Sequence, residues 1–330
     1  MKTLSFAAVA LVFCASFASA QPSSIWAKAK KPTQAELDYA HERASFFYQD
    51  AESEGGPQGP RGGLAIVSLE SARALLERVG AASSDDLRLR FDLARVLQRL
   101  NRYEDVIKVL VPTLALAPQH VRAEEGWFEL AICDARLGKH QDEEQAYLAA
   151  LELEDDPYGR SVILANLAEA RMQLHHLDAA KEAAEQSIEL RPDAALTHWT
   201  LAVIEDRNGN PFGALTEARV ASSLDPNFDE LLSPEVFFEP EYEVHWYVGL
   251  GELSHAATAS TDNDTMNGMS ASQMHLMHAL EEFDRFVKDA PLTDPYRPRA
   301  VEHVLQIEGM LKLTPKPKPL PTPKPPKPKP

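Results

Sequence analysis

The chain has 330 residues, 44% of them hydrophobic, and its 50 acidic against 33 basic side chains give a net charge of −17 at pH 7. That length and apolar content are enough for a sizeable core. An acid excess of this size repels nucleic-acid phosphates and anionic membranes, which excludes both as partners for the body of the chain.

Residues 1–20 read as a signal peptide: Lys2, an apolar run from Leu4 to Phe17, then the small residues Ala18, Ser19 and Ala20. The run is short for a membrane span, and no later segment reaches the roughly 20 apolar residues that a spanning helix needs. The expectation is an exported protein, periplasmic or secreted, with no membrane span. Phe13 precedes Cys14, where a lipid-attachment signal requires a small residue, which argues against lipidation. With Cys14 removed, Cys133 is the one remaining thiol, so no intrachain disulfide can form. Its place in the apolar run Leu130 to Leu137 makes it a small buried hydrophobe.

Residues 33–83 begin with a helix from Thr33 to about Ala51. It is broken by a loop containing Gly55, Gly56, Pro57, Gly59, Pro60, Gly62 and Gly63. From Leu64 to about Pro226 apolar residues recur at helical spacing, with breaks at Gly80, Asn101, Pro118, Gly138, Pro157, Pro192 and Gly209, which predicts short antiparallel helix pairs, the repeats proper occupying residues 84–228. The unit repeats: Leu93 to Leu130 and Leu130 to Leu167 are each 37 residues apart, and Leu167 to Leu201 is 34. Residues 229–313 read as a divergent unit. Its first helix holds Tyr247, Leu250 and Gly251 and its second Ala279, Phe283 and Pro291, with an insertion from Ser260 to Ser272 between them. A final helix from Arg299 to Leu313 is expected to cap the open end. The aromatics Phe237, Phe238, Tyr242, Trp246 and Tyr247 are expected to seal the junction before this unit. Residues 314–330, dominated by proline and lysine, predict an extended disordered tail that builds no core. Its lysines suit weak contact with an anionic envelope polymer.

The units resemble the tetratricopeptide repeat family, whose pattern is a large residue, Leu-Gly, an aromatic, then Ala and Phe in the second helix and Pro at its end. The third unit reads Leu164, Leu167, Ala168, Ala180, Ala184 and Pro192, and the fourth His198, Leu201, Ala202, Ala214, Ala218 and Pro226. The first offers Leu93, Ala94, Val106, Leu110 and Pro118. The second has Trp127, Leu130, Ala131, Tyr147 and Ala150 but departs from the pattern at Glu143 and Asp155. The resemblance implies an all-α fold, a right-handed solenoid of antiparallel helix pairs whose first helices line a concave groove for a protein or peptide partner.

On that face the resemblance places Phe91, Arg95 and Arg99, then Phe128, Ile132 and Arg136, then Glu169, Trp199 and Arg207. Aromatic and arginine side chains often carry interface energy. The same residues would equally serve as core and as partners of neighbouring acids. The Lys and Asn pattern with which some family members clamp a carboxy-terminal peptide is absent. A second reading is copper handling: Met266, Met269, Met274 and Met277 crowd beside His275 and His278, and thioether with imidazole suits Cu(I). The run Asp262, Asn263, Asp264 begins like a calcium loop, but Met266 fills the next ligand position. There is no H-E-x-x-H, G-x-S-x-G, P-loop or Cys-x-x-Cys, so no enzyme and no cofactor are implied.

Overall fold

The computed structural model describes residues 31–55, 63–259 and 269–313. The signal peptide, most of the Gly/Pro loop, Met266 and the Pro/Lys tail lie outside these residues. The described residues form helices α1 (Gln34–Gly55), α2 (Gly63–Arg78), α3 (Leu87–Arg99), α4 (Tyr103–Leu116), α5 (Ala123–Arg136), α6 (His140–Leu153) and α7 (Pro157–Gln173). There follow α8 (Leu177–Leu190), α9 (Ala195–Arg207), α10 (Pro211–Leu224), α11 (Val244–Thr258), α12 (Ala271–Asp289) and α13 (Arg297–Leu313). Each helix packs on the next, and α1, α3, α7 and α9 also touch the helix two further along, as successive pairs of a solenoid do.

One turn, repeated, makes the pairs. Asn101, Gly138, His175 and Gly209 all take the left-handed conformation, with φ of 57°, 64°, 61° and 79°. The next residue donates its amide to the carbonyl five positions back: Arg102 to Leu97, Lys139 to Asp134, His176 to Arg171 and Asn210 to Glu205, each at 2.9 Å. This closure satisfies a carbonyl that a helix end would leave bare, and it favours Gly or Asn. The four turns keep the spacing of the leucines. Small residues keep it too: Ala94, Ala131, Ala168 and Ala202 are buried at the same place in each first helix, and a small side chain there lets a neighbouring helix approach.

The second helices stop where the sequence predicts. Helices α4, α8 and α10 end two residues before Pro118, Pro192 and Pro226. The irregular second unit stops without that proline, because Pro157 opens α7 and the Asp156 side chain accepts from the Gly159 amide at 3.0 Å. Its other departure, Glu143, is buried with a carboxylate oxygen 2.8 Å from His140 Nδ1, and burial pushes its pKa up.

Within residues 33–83, α1 and α2 pack against each other as a further pair. Ala40, Ala44 and Ala51 of α1 and Leu69, Ala72 and Leu76 of α2 are buried, and both helices pack against α3. At the other end, Gly251 of α11 lets the Phe228 and Trp199 rings come so close that a Cβ there would collide with both. Helix α13 packs on α12 as the expected cap. Arg299 donates to Asp206 of α9 at 2.9 Å, and His303 Nε2 stands 2.6 Å from the other oxygen. Among the described residues no helix is long and apolar enough to cross a membrane.

Candidate functional site

The connections inside the pairs are short, but residues 225–243 between α10 and α11 form a long crossing segment. Its start is pinned by Asp225, whose two oxygens accept the amides of Glu230 and Leu231 at 3.2 and 3.1 Å. Its end is held by Tyr242, whose hydroxyl donates to Asp294 at 2.9 Å. Between these anchors the stretch Ser233-Pro-Glu-Val-Phe-Phe-Glu-Pro240 lies across the first helices of the central pairs. The Arg136 guanidinium of α5 sits 3.5 Å from the centre of the Phe237 ring, and Phe238 packs edge-on against Tyr247 of α11 at 5.1 Å. Phe237 and Phe238 therefore do more than seal the junction, the role the sequence assigned them. Trp246 and Tyr247, buried in α11, do keep it.

The crossing segment leaves a cavity of ≈ 540 Å³ beside it, whose wall includes Arg99, Ile132, Arg136, Asn166, Glu169 and Phe237. A second cavity of ≈ 340 Å³ runs under the segment past Asn166, Thr197, Thr200, Arg191 and Tyr247. The floor is unusual in charge. Burial holds the Glu169 carboxyl up at about 7, although the Thr200 hydroxyl, donating at 2.9 Å, pulls it down. Glu129 of α5, which lines neither cavity, is likewise raised by burial to about 7, and one of its oxygens has no hydrogen-bond partner.

The residues predicted for the concave face thus divide. Arg99, Ile132, Arg136 and Glu169 line the cavity. Arg99 is also committed to α1, donating to the Tyr48 hydroxyl at 3.1 Å and to Glu52 at 2.8 Å. Arg95 lies over the Tyr48 ring, with Glu125 at 3.8 Å. Phe128 is half-buried edge-on to Tyr147 of α6. Three residues are not surface residues at all. Phe91 is buried against His120 and under Gly126, and Trp199 is fully buried against Phe228. Arg207 is enclosed between the Trp246 and Tyr296 rings and paired with Glu243. Phe91 and Trp199 share a register that turns them toward the next pair, whereas Arg207, in the register of Arg99 and Arg136, is covered by α11 and Tyr296. Sequence reasoning missed Asn166, Thr200 and the crossing segment itself. The available signal was a long connection without helical period, since long connections in compact folds are commonly functional.

The predicted copper donors also divide. His275 and His278 face α11, where both meet Glu252. Met277, two residues from His275 and so about 200° around the helix, is 45% exposed on the other side. Met277 and His275 therefore cannot share one ion. Met269 and Met274 are half-buried.

Residues 162–194, spanning α7, α8 and the turn between them, match the sequence profile of the tetratricopeptide repeat. That stretch is a tetratricopeptide repeat, set in an all-helical stack. A comparison with curated proteins found no match. Among solved structures, the chain is similar to MamA 41-end from Desulfovibrio magneticus RS-1, with 16% identity over 57% of this chain and 98% of that one, at a TM-score of 0.46. MamA of MSR-1 gives 17% identity over 58% and 95%, and MamA of AMB-1 gives 18% over 58% and 98%, both at 0.46. The repeat supports a protein–protein interaction scaffold.

Proposed function

We propose that this tetratricopeptide protein is a non-enzymatic scaffold of the cell envelope whose concave groove takes an extended segment of a partner protein. The observation that carries the reading is the crossing segment, a non-helical stretch with two phenylalanines flanked by Glu235 and Glu239, seated on Arg136 and over Asn166. A groove that accepts such a stretch from its own chain has the anchors to accept one from another. Arg136 offers a cation for an aromatic face, and the Asn166 carboxamide offers both a donor and an acceptor to an extended backbone. The signal-like first 20 residues support export, to the periplasm or beyond.

The test replaces residues 234–239 by a Gly/Ser linker, verifies the helical fold by circular dichroism, and titrates in a synthetic peptide of residues 233–240. The linker protein is expected to bind the peptide, with affinity falling roughly tenfold when Arg136→Ala removes the cation. A folded linker protein that ignores the peptide refutes the groove. The single variant Phe237→Ala is expected to bind the same peptide more tightly than the parent, and weaker or equal binding likewise refutes the groove.

A further inference from the structure

Across the α11–α12 interface two pairs of side chains face each other. Helix α11 presents Glu252 and His255, and α12 presents His275 and His278, each pair three residues apart and so on one face of its helix. His275 Nδ1 lies 2.6 Å from one oxygen of Glu252, and His278 Nδ1 lies 3.8 Å from the other. One donor atom from each of these three residues falls within 4.8 Å of the other two. The His255 ring stands edge-on to His275 with centroids 5.2 Å apart.

This differs from the other histidine–carboxylate contacts along the stack. His140 with Glu143, His198 with Glu217 and His245 with Glu282 each join one imidazole to one carboxylate. At Glu252 one carboxylate serves two imidazoles, with a third ring beside them. Both imidazoles aim Nδ1 at the same group, so a single cation in place of their protons would satisfy all three without moving either helix. We propose that Glu252, His275 and His278 form a site for a divalent transition-metal cation of the zinc class.

Bonds of about 2.0–2.2 Å to a tetrahedral ion put neighbouring donors about 3.4 Å apart, so side-chain rotation need only widen the 2.6 Å separation and narrow the 3.8 Å one. Two imidazoles and a carboxylate are the donor set of an open zinc site, with the fourth position left to water or to His255. The set favours Zn(II) over Cu(I), which prefers the soft thioethers. The scaffold is firm on both sides. Helix α12 begins in a capping box, in which Ser270 Oγ accepts the Gln273 amide at 3.2 Å and Gln273 Oε1 accepts the Ser270 amide at 3.0 Å. The Glu252 side chain is 12% exposed, whereas that of His278 is 62% exposed, so an ion enters from the His278 side and meets a carboxylate already in place.

The experiment is calorimetric titration of the chelator-stripped full chain with Zn(II) and, separately, with Cu(I). One Zn(II) per chain is expected to bind, with affinity reduced roughly tenfold or more in His275→Ala and in Glu252→Gln. The double variant Met274→Leu/Met277→Leu is expected to bind as the parent does. Circular dichroism checks each fold, and His278→Ala, the most exposed ligand, carries the comparison if another variant unfolds. The inference is overturned if the parent takes up no stoichiometric Zn(II), or if the His275→Ala/His278→Ala double variant binds as the parent does. Uptake confined to Cu(I) and lost with the methionines also overturns it.

Discussion

The stack from α3 to α10 and the end formed by α11, α12 and α13 are held together by different means. In the first, the same small residues and the same left-handed turn recur from pair to pair. In the second, a few polar groups are taken deep inside. Asp206 of α9 accepts the Trp246 indole at 3.1 Å and also meets Arg299 and His303, while Arg207 pairs with Glu243 at the base of α11. Burial works against the Asp206 charge, but His303 and Arg299 hold its carboxyl below the usual range. The lesson is that a repeat array can be closed by specificity instead of by further repetition.

The sharpest way to break that contrast is Arg207→Ala. The Arg207 side chain is fully buried, and its loss strands the Glu243 carboxylate at 5% exposure. Removing one partner of a buried pair costs about 3–5 kcal/mol, read as a lower urea midpoint. Hydrogen exchange should quicken first in α11 and α13 while α5 to α8 stay protected. Arg102→Ala, which opens the exposed pair with Asp105 in the regular stack, should cost less than about 1 kcal/mol. Equal losses from the two variants would erase the distinction.

A smaller effect comes from two buried carboxyls, one of them in the cavity wall. Glu169 and Glu129 titrate near 7 in the fold against an ordinary 4.5, so between those values the native state holds protons that the unfolded chain has released. Stability from these groups is therefore intact below about pH 4.5 and falls as pH rises through 7, by on the order of 2 kcal/mol per group. Asp206, with its lowered pKa, acts in the opposite sense but only at more acidic pH. Denaturation at pH 5 and pH 8 checks the sign: the parent should be weaker at pH 8, and Glu169→Gln should remove about half of the difference. The smallest effect tests the repeated turn. Gly138 has open space where a Cβ would go but φ of 64°, so Gly138→Ala should cost about 1 kcal/mol through backbone strain alone.

The turn explains why so much of the stack could be read from the chain. A left-handed position tolerates few residues, so Asn101, Gly138 and Gly209 mark it openly, and the leucines and alanines beside it keep the same count. Arg99, Arg136 and Arg207 show where such reading stops. All three end the first helix of their pair in the same register, yet Arg99 is held by α1, Arg136 carries Phe237 and Arg207 is enclosed by α11. What decides between these fates is the chain that arrives from elsewhere. The segment carrying Phe237 has no period of its own, and its seat on Arg136 joins residues about a hundred positions apart. The Glu252 site was half visible: the spacing of His275 and His278 put them on one face, but their carboxylate belongs to another helix.

The crossing segment has a quantitative consequence for anything that would use the groove. Because it is tied to the stack at Asp225 and Tyr242, it presents Phe237 to Arg136 at an effective concentration in the millimolar range, as short tethers do. A free peptide of equal intrinsic affinity would lose to it at micromolar levels, since its apparent affinity falls with the fraction of chains whose groove is open. Occupancy would then report a threshold, crossed by a partner that brings further contacts or arrives in many copies, and not by stray segments of similar composition.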